Sequence, residues 1–136
     1  MVRVYADMVG DLFHAGHVEF LRQARALGDH LTVGIHADHV VASYKRRPIL
    51  TMEERVAVVA GCRHVDEAIP DAPLVVDRDW IERHGIDIVV HGDDFSPAEL
   101  ERFYPAPLEM GILRTVPYTP GISSSEIIDR VLKTEA

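Results

Sequence analysis

Apolar positions along this chain follow two alternating rhythms. Short runs rich in β-branched and aliphatic residues at 2–6, 31–35, 65–69, 86–90 and 112–116 read as strands. Between them the spacing widens to that of one helix face. Val18, Leu21, Ala24 and Leu27 recur every three residues, and Gly28 follows as the glycine expected just past a helix end. Helix starts are marked as well. Thr51 with Glu54 and Ser123 with Glu126 form capping-box patterns, and Ser96-Pro97-Ala98-Glu99 adds a proline at the first helical position. Asp77 opens a further helix through Trp80 and Ile81 that Gly85 ends.

Strands alternating with helices over this length predict an α/β fold. The expectation is one Rossmann-like, doubly wound domain over 1–136, with a five-stranded parallel sheet flanked by helices and right-handed crossovers. No repeat, linker or low-complexity tract interrupts it. Ligands of such sheets sit beyond the carboxyl ends of the strands, where strand order reverses. The chemistry is therefore sought just after each apolar run.

Composition narrows the partners. With 14 Lys and Arg against 22 Asp and Glu, the net charge is −8 on 136 residues. That balance argues against nucleic acid and against anionic membrane surfaces, both of which demand basic footprints. The longest apolar stretch, 56–62, is far shorter than the roughly 20 residues of a spanning helix. Asp7 and Asp11 break the start before any signal-like segment develops. A single cysteine, Cys62, fits a reducing compartment, and a cytoplasmic location is expected. Eight histidines are many for this length, and their placement matters more than their number.

The segment after the first run reads Met8-Val9-Gly10-Asp11-Leu12-Phe13-His14-Ala15-Gly16-His17. His14 and His17 can share one side of a helix start, where free N–H groups and a partial positive charge favour phosphate, and Gly16 permits close approach. The pattern His-x-Gly-His is expected about 0.03 times by chance at this composition. Its plain alternative is one capping and one packed histidine.

His14-Ala15-Gly16-His17 resembles the HxGH signature of the nucleotidylyltransferases, which split a nucleoside triphosphate between its α and β phosphates. Three further motifs follow in order. Arg63-His64-Val65-Asp66-Glu67 resembles R-Y-V-D-E, His91-Gly92-Asp93-Asp94 resembles H-G-D-D, and Gly121-Ile122-Ser123-Ser124-Ser125 resembles G-I-S-T-T. Together they resemble the cytidylyltransferases over nearly the whole chain. The stretch 65–73, with its Asp71-Ala72-Pro73 ending, is most similar to the ethanolamine-phosphate branch. The glycerol-3-phosphate and 2-hydroxyethylphosphonate branches are also similar.

The resemblance implies attack by a phosphate or phosphonate acceptor on the α-phosphorus of CTP, with pyrophosphate leaving in line and Mg²⁺ carried mainly by the CTP phosphates. It implies His14, His17, Lys45 and Ser124 as catalytic residues. Val9, Gly10, Asp11, Gly16, Arg63, His91, Asp94, Thr119, Gly121, Ile122, Ser123 and Ser124 would bind the nucleotide. Lys45 and Arg55 would meet the acceptor, and Asp11 could organise the metal. A homodimer is implied, with Arg63 near its interface. Each has a plain alternative: serines as caps, Lys45 with Arg46 and Arg47 as a basic turn, Arg55 as a helix-surface residue, Asp11 or Asp94 closing a turn.

Two departures stand out. The family's residues before Asp11 differ from Met8-Val9-Gly10, and Tyr118 stands where the family carries arginine. The alternatives to a cytidylyltransferase are an ATP-using adenylyltransferase of the same superfamily and a nucleotide-binding module without catalysis.

Overall fold

A computed structural model describes residues 1–134. Five strands, β1 (Arg3–Met8), β2 (His30–His36), β3 (Glu67–Ala72), β4 (Ile88–Gly92) and β5 (Leu113–Val116), form one sheet in the order β3-β2-β1-β4-β5. Every pairing is parallel. Helices α1 (Ala15–Arg25), α2 (Asp38–Ala42), α3 (Met52–Ala60), α4 (Arg78–Arg83), α5 (Pro97–Phe103), α6 (Pro105–Glu109) and α7 (Ser124–Leu132) complete the described chain. The chain winds outward from β1 to β3, then crosses to β4 on the other side of β1. Strand order thus reverses between β1 and β4, and a crevice opens at their carboxyl ends.

The two-residue period of β1 divides the core. Val4 and Ala6 join Leu21, Leu31, Val33, Ile35, Val59 and Val90 on one face of the sheet. Tyr5 points the other way, among Val76, Ile81, Ile86, Val89 and Tyr104. Gly34 in β2 is a consequence of Tyr5. A Cβ there would run into the Tyr5 hydroxyl and lie 2.7 Å from the Ala72 Cβ.

The expected α/β sheet is present, and the caps at Thr51, Asp77, Ser96 and Ser123 accept the backbone N–H groups their patterns promised. Three details differ. The third strand is shifted, occupying Glu67–Ala72 rather than 65–69, because Asp66 turns its carboxylate onto the Leu31 N–H (2.8 Å) and the Arg25 guanidinium (3.0 Å). It also runs through Pro70, tolerable because β3 is an edge strand whose pairing with β2 shifts register there. Gly28 is not a left-handed cap. Its Cβ would lie 2.7 Å from the Val2 carbonyl, so glycine is required for the close passage of the α1–β2 turn over β1. The short helices α2 and α6 had no periodic pattern to announce them.

Overpacking decides the first expectation. Gly34→Ala should lower unfolding stability by about 1–3 kcal/mol with the denaturant slope unchanged, read by urea titration.

Candidate active site

The crevice beside β1 and β4 widens into a cavity of about 580 Å³. Its walls come from the segments after each of the five strands, from α5 and from the starts of α1 and α7. The β1 loop is shaped by two left-handed residues, Gly10 (φ 70°) and Leu12 (φ 47°). A left-handed leucine costs of order 1 kcal/mol or more, so neighbours must hold it.

Asp11, between them, is that hold. Its buried carboxylate accepts the N–H groups of Ile49 (2.9 Å) and Leu50 (3.0 Å) and the guanidinium of Arg46 (2.9 Å). Burial alone would push this carboxyl up, but the two backbone donors and Arg46 outweigh it and hold it below its usual range. The Asp11 carbonyl accepts the Ser124 hydroxyl at 2.7 Å. One residue therefore fastens the 46–50 segment and the start of α7 to the β1 loop.

His14 and His17 build the start of α1 from their own rings. The Gly16 N–H donates to Nδ1 of His14, and the His14 N–H donates to Nδ1 of His17, each at 3.0 Å. An N–H can only donate, so both Nδ1 atoms are bare acceptors, and each neutral ring carries its proton on Nε2. Burial lowers both imidazoles. His17 falls to about 4, with His14 and Lys45 pushing the same way and Asp11 opposing. The signature glycine has a steric reason too: a Cβ on Gly16 would sit 2.8 Å from the His14 ring. His14, Gly16 and His17 all line the cavity, as two neutral donors beside a tight backbone.

Lys45 lines the same cavity, its ammonium pushed below its usual pKa by burial first and by Arg46 second. Ser123 and Ser124 line it from α7, where Ser123 also caps the helix through the Glu126 N–H (3.1 Å). Val9, Thr119 and Ile122 are wall residues as expected. So are His91 and Asp94 after β4. His91 donates Nδ1–H to the Gly92 carbonyl (2.8 Å) and stacks on Phe95 at 4.0 Å. Tyr118, half exposed, lies over the bare Gly92.

Several expected residues fall elsewhere. Arg55 is 0% exposed and does not reach the cavity. It donates to the carbonyls of Val9 (2.9 Å) and His36 (3.0 Å) and pairs with Asp38, so it supports the walls from behind. Asp11 is likewise behind the wall, its oxygens committed to the 46–50 segment, which does not fit a metal ligand. No cluster of three acidic, His or Cys side chains suited to a metal occurs among the described residues. Gly10 and Gly121 (φ 92°) shape the backbone without lining the cavity. Arg63 is exposed after α3, outside the cavity.

The sequence reading missed an acidic wall. Asp7, at the end of β1, accepts the Tyr104 hydroxyl on Oδ1 (2.6 Å) and His36 Nε2 on Oδ2 (3.2 Å). Burial first, and then the Asp7 charge, raises the phenols of Tyr104 and Tyr44 above their usual range. All four residues face the cavity. The only local signal was an acid at the carboxyl end of an apolar strand.

Residues 10–130 match the family described as cytidylyltransferase-like. Among curated relatives, the ethanolamine-phosphate cytidylyltransferase of Dictyostelium discoideum is 45% identical over 134 residues, 95% of this chain and 37% of that protein. The Arabidopsis thaliana ethanolamine-phosphate cytidylyltransferase is 46% identical over 95% of this chain and 32% of its own length. Choline-phosphate cytidylyltransferase A of Homo sapiens is 37% identical over 97% of this chain and 37% of its own. The chain thus spans about a third to two fifths of these relatives. A crystal structure of the lipopolysaccharide core biosynthesis protein from Thermoplasma volcanium GSS1 superposes with a TM-score of 0.71 at 28% identity, covering 90% of this chain and 99% of that one. On these grounds the chain belongs to the cytidylyltransferase-like family, and three of the four motifs, those at 14–17, 91–94 and 121–125, meet in its cavity.

Proposed function

We propose that this chain transfers CMP from CTP to a small phospho-alcohol carrying an amine, of the phosphoethanolamine type. The observation that carries this reading is the pairing, in one cavity, of a neutral histidine pair and a lysine with a buried carboxylate. The first set suits phosphates. The carboxylate, ringed by Tyr104, Tyr44 and His36, suits an ammonium. A glycerol phosphate or a 2-hydroxyethylphosphonate would bring only hydroxyl groups to that charge.

In the reaction, an acceptor phosphate oxygen forms a bond to the α-phosphorus as the bond to the bridging oxygen breaks. Pyrophosphate departs with that electron pair, and no covalent enzyme intermediate forms. Such chemistry asks for alignment and charge stabilisation. His14 and His17 would donate Nε2–H to the oxygens where negative charge grows, and burial makes each such hydrogen bond stronger than in water. Lys45 supplies the full positive charge that the neutral imidazoles lack. Ser123 through its hydroxyl, and Ser124 through its backbone N–H since its hydroxyl already donates to the Asp11 carbonyl, would hold the distal phosphates at the start of α7, adding the partial positive charge of that helix end. Mg²⁺ is proposed to arrive on the triphosphate, which supplies oxygen ligands that Asp11 does not. The dimer implied by the resemblance belongs to the proposal as well, with exposed Arg63 near its interface.

The deciding experiment is a pyrophosphate-release screen of CTP and ATP against phosphoethanolamine, phosphocholine, glycerol 3-phosphate and 2-hydroxyethylphosphonate. Release should require CTP and be greatest with phosphoethanolamine. Preference for ATP would favour an adenylyltransferase, and nucleotide binding without release would favour a binding module.

Three variants and conditions extend this. His17→Ala should lower kcat by about 10²–10³-fold, and unchanged turnover would remove His17 from the chemistry. Asp7→Asn should lower kcat/KM for phosphoethanolamine by roughly 10–100-fold while the CTP dissociation constant holds. The third concerns acid. His17 titrates near 6.5 unfolded and about 4 folded, so its stabilising contribution is complete above pH 6.5 and is lost as pH falls toward 4. The thermal midpoint should drop across that window, and less steeply in His17→Gln.

A further inference from the structure

His36 ends β2 with one ring nitrogen accounted for and one not. Its Nε2 meets Asp7 Oδ2 at 3.2 Å. Because an ionised carboxylate only accepts, the shared proton belongs to Nε2, and the neutral ring then leaves Nδ1 as a bare acceptor. That Nδ1 is buried and has no hydrogen-bond partner among the described residues. The residue as a whole is 7% exposed and forms part of the cavity wall beside Asp7 and Tyr104.

Nothing about the ring's position is loose. The His36 carbonyl accepts from the fully buried Arg55 guanidinium (3.0 Å), and the β2–β3 register shifts between Gly34 and His36, where His36 comes opposite Ala72. The ring is thus held with a lone pair that the protein does not satisfy. Buried polar atoms are almost always paired, so an orphan acceptor beside a carboxylate in a substrate-sized cavity calls for a donor from outside.

We infer that His36 is a specificity residue that accepts an N–H of the acceptor's ammonium, and so selects primary amines over quaternary ones. This rests on the reading of the acceptor as an aminoalkyl phosphate. A primary ammonium has three N–H donors, enough to serve Asp7 and His36 Nδ1 together. A trimethylammonium has none. Its methyl groups cannot bond Nδ1, and the acceptor stays unmet. Sites built to bond a substrate N–H can reject analogues lacking it by about 10⁴-fold, far beyond what a methyl-sized change in an apolar pocket achieves. Tyr44 and Tyr104 offer either cation an aromatic face, so the difference between them rests on the N–H bonds to Asp7 and His36.

The test is the graded series phosphoethanolamine, N-methyl-, N,N-dimethyl-phosphoethanolamine and phosphocholine, with kcat/KM measured for each at saturating CTP. N-methyl-phosphoethanolamine keeps two N–H groups, enough for both acceptors, whereas the dimethyl compound keeps one, which the Asp7 carboxylate takes. The first methyl should therefore cost little, and the loss should set in at the second and be complete at the third, about 10²-fold or more in all. A steady decline at each methyl would mean steric exclusion and would overturn the inference.

Two substitutions separate the ring's two roles. In His36→Gln the amide nitrogen can still donate to Asp7, but no acceptor remains at the Nδ1 position. His36→Asn keeps an acceptor at that position and gives up Asp7. Gln should lose about 10–100-fold with phosphoethanolamine, little with phosphocholine, and so flatten the series. Asn should retain more of the selectivity. Thermal unfolding and CTP binding of both variants confirm that the fold is kept. Equal losses across all four acceptors, or selectivity retained in Gln, would show that a water or the fold alone satisfies Nδ1, and the inference would fall while the proposed function stood. Absence of pyrophosphate release with every acceptor in the wild-type chain would remove both.

Discussion

A guanidinium with no exposed surface sits under the site, and most of the site's geometry depends on it. Arg55 donates to the carbonyls at the ends of β1 and β2 and pairs with Asp38 at the start of α2. Burying a cation is costly unless its donors are met, and here the two terminal nitrogens are met by the strand ends that must be aimed and by Asp38, while Nε has no partner among the described residues. The arrangement works in both directions. Carbonyls at the carboxyl ends of parallel strands point out of the sheet with no next residue to pair them, and Arg55 supplies the donors. In return, Val9 and His36 are fixed relative to each other across the width of two strands.

Asp11 performs the mirror task in front. Its carboxylate gathers N–H groups from a segment 35 to 39 residues away, and its carbonyl receives Ser124 from the far end of the chain. Between the cation behind and the anion in front, the β1 loop has little freedom, which is why left-handed Leu12 is affordable there. The histidine rings then add no entropy cost for orientation. Helix α1 cannot begin without them in place. Preorganisation of donors, the property that electrostatic catalysis needs most, follows from three separate local bonding demands.

How far this was legible in the sequence depends on the range of the contacts involved. Strands and caps were readable because alternation, three-residue spacing and the Thr51–Glu54 pattern act within a few residues. The HxGH residues, Lys45 and the serines could be singled out because their pattern is carried by order along the chain, and the fold brings them to one cavity. Arg55 and Asp11, expected at the ligand, lie behind the cavity wall, and nothing in their own segments signals this. A charged residue's role is set by what surrounds it, and their partners lie 17 to 46 residues away. Asp7 was overlooked for the same reason, since Tyr104 is 97 residues distant. Gly28 shows the same limit on a small scale: glycine signals that a side chain is unwelcome, not whether φ or a neighbouring strand objects.

The doubled histidine cap has one more consequence. In most proteins the residue that starts a helix and the residue that touches the reacting group are different, so each can be replaced without the other. Here each imidazole spends one nitrogen on the backbone and offers the other to the ligand. Serine or asparagine could cap but would not reach; lysine or arginine could reach but has no acceptor to cap with. Gaining a proton on Nδ1 would remove the cap in the act of creating a charge. Acid would therefore unwind the first turn of α1 rather than turn the histidines into better phosphate ligands, and the helix start itself guards the protonation state on which the site depends.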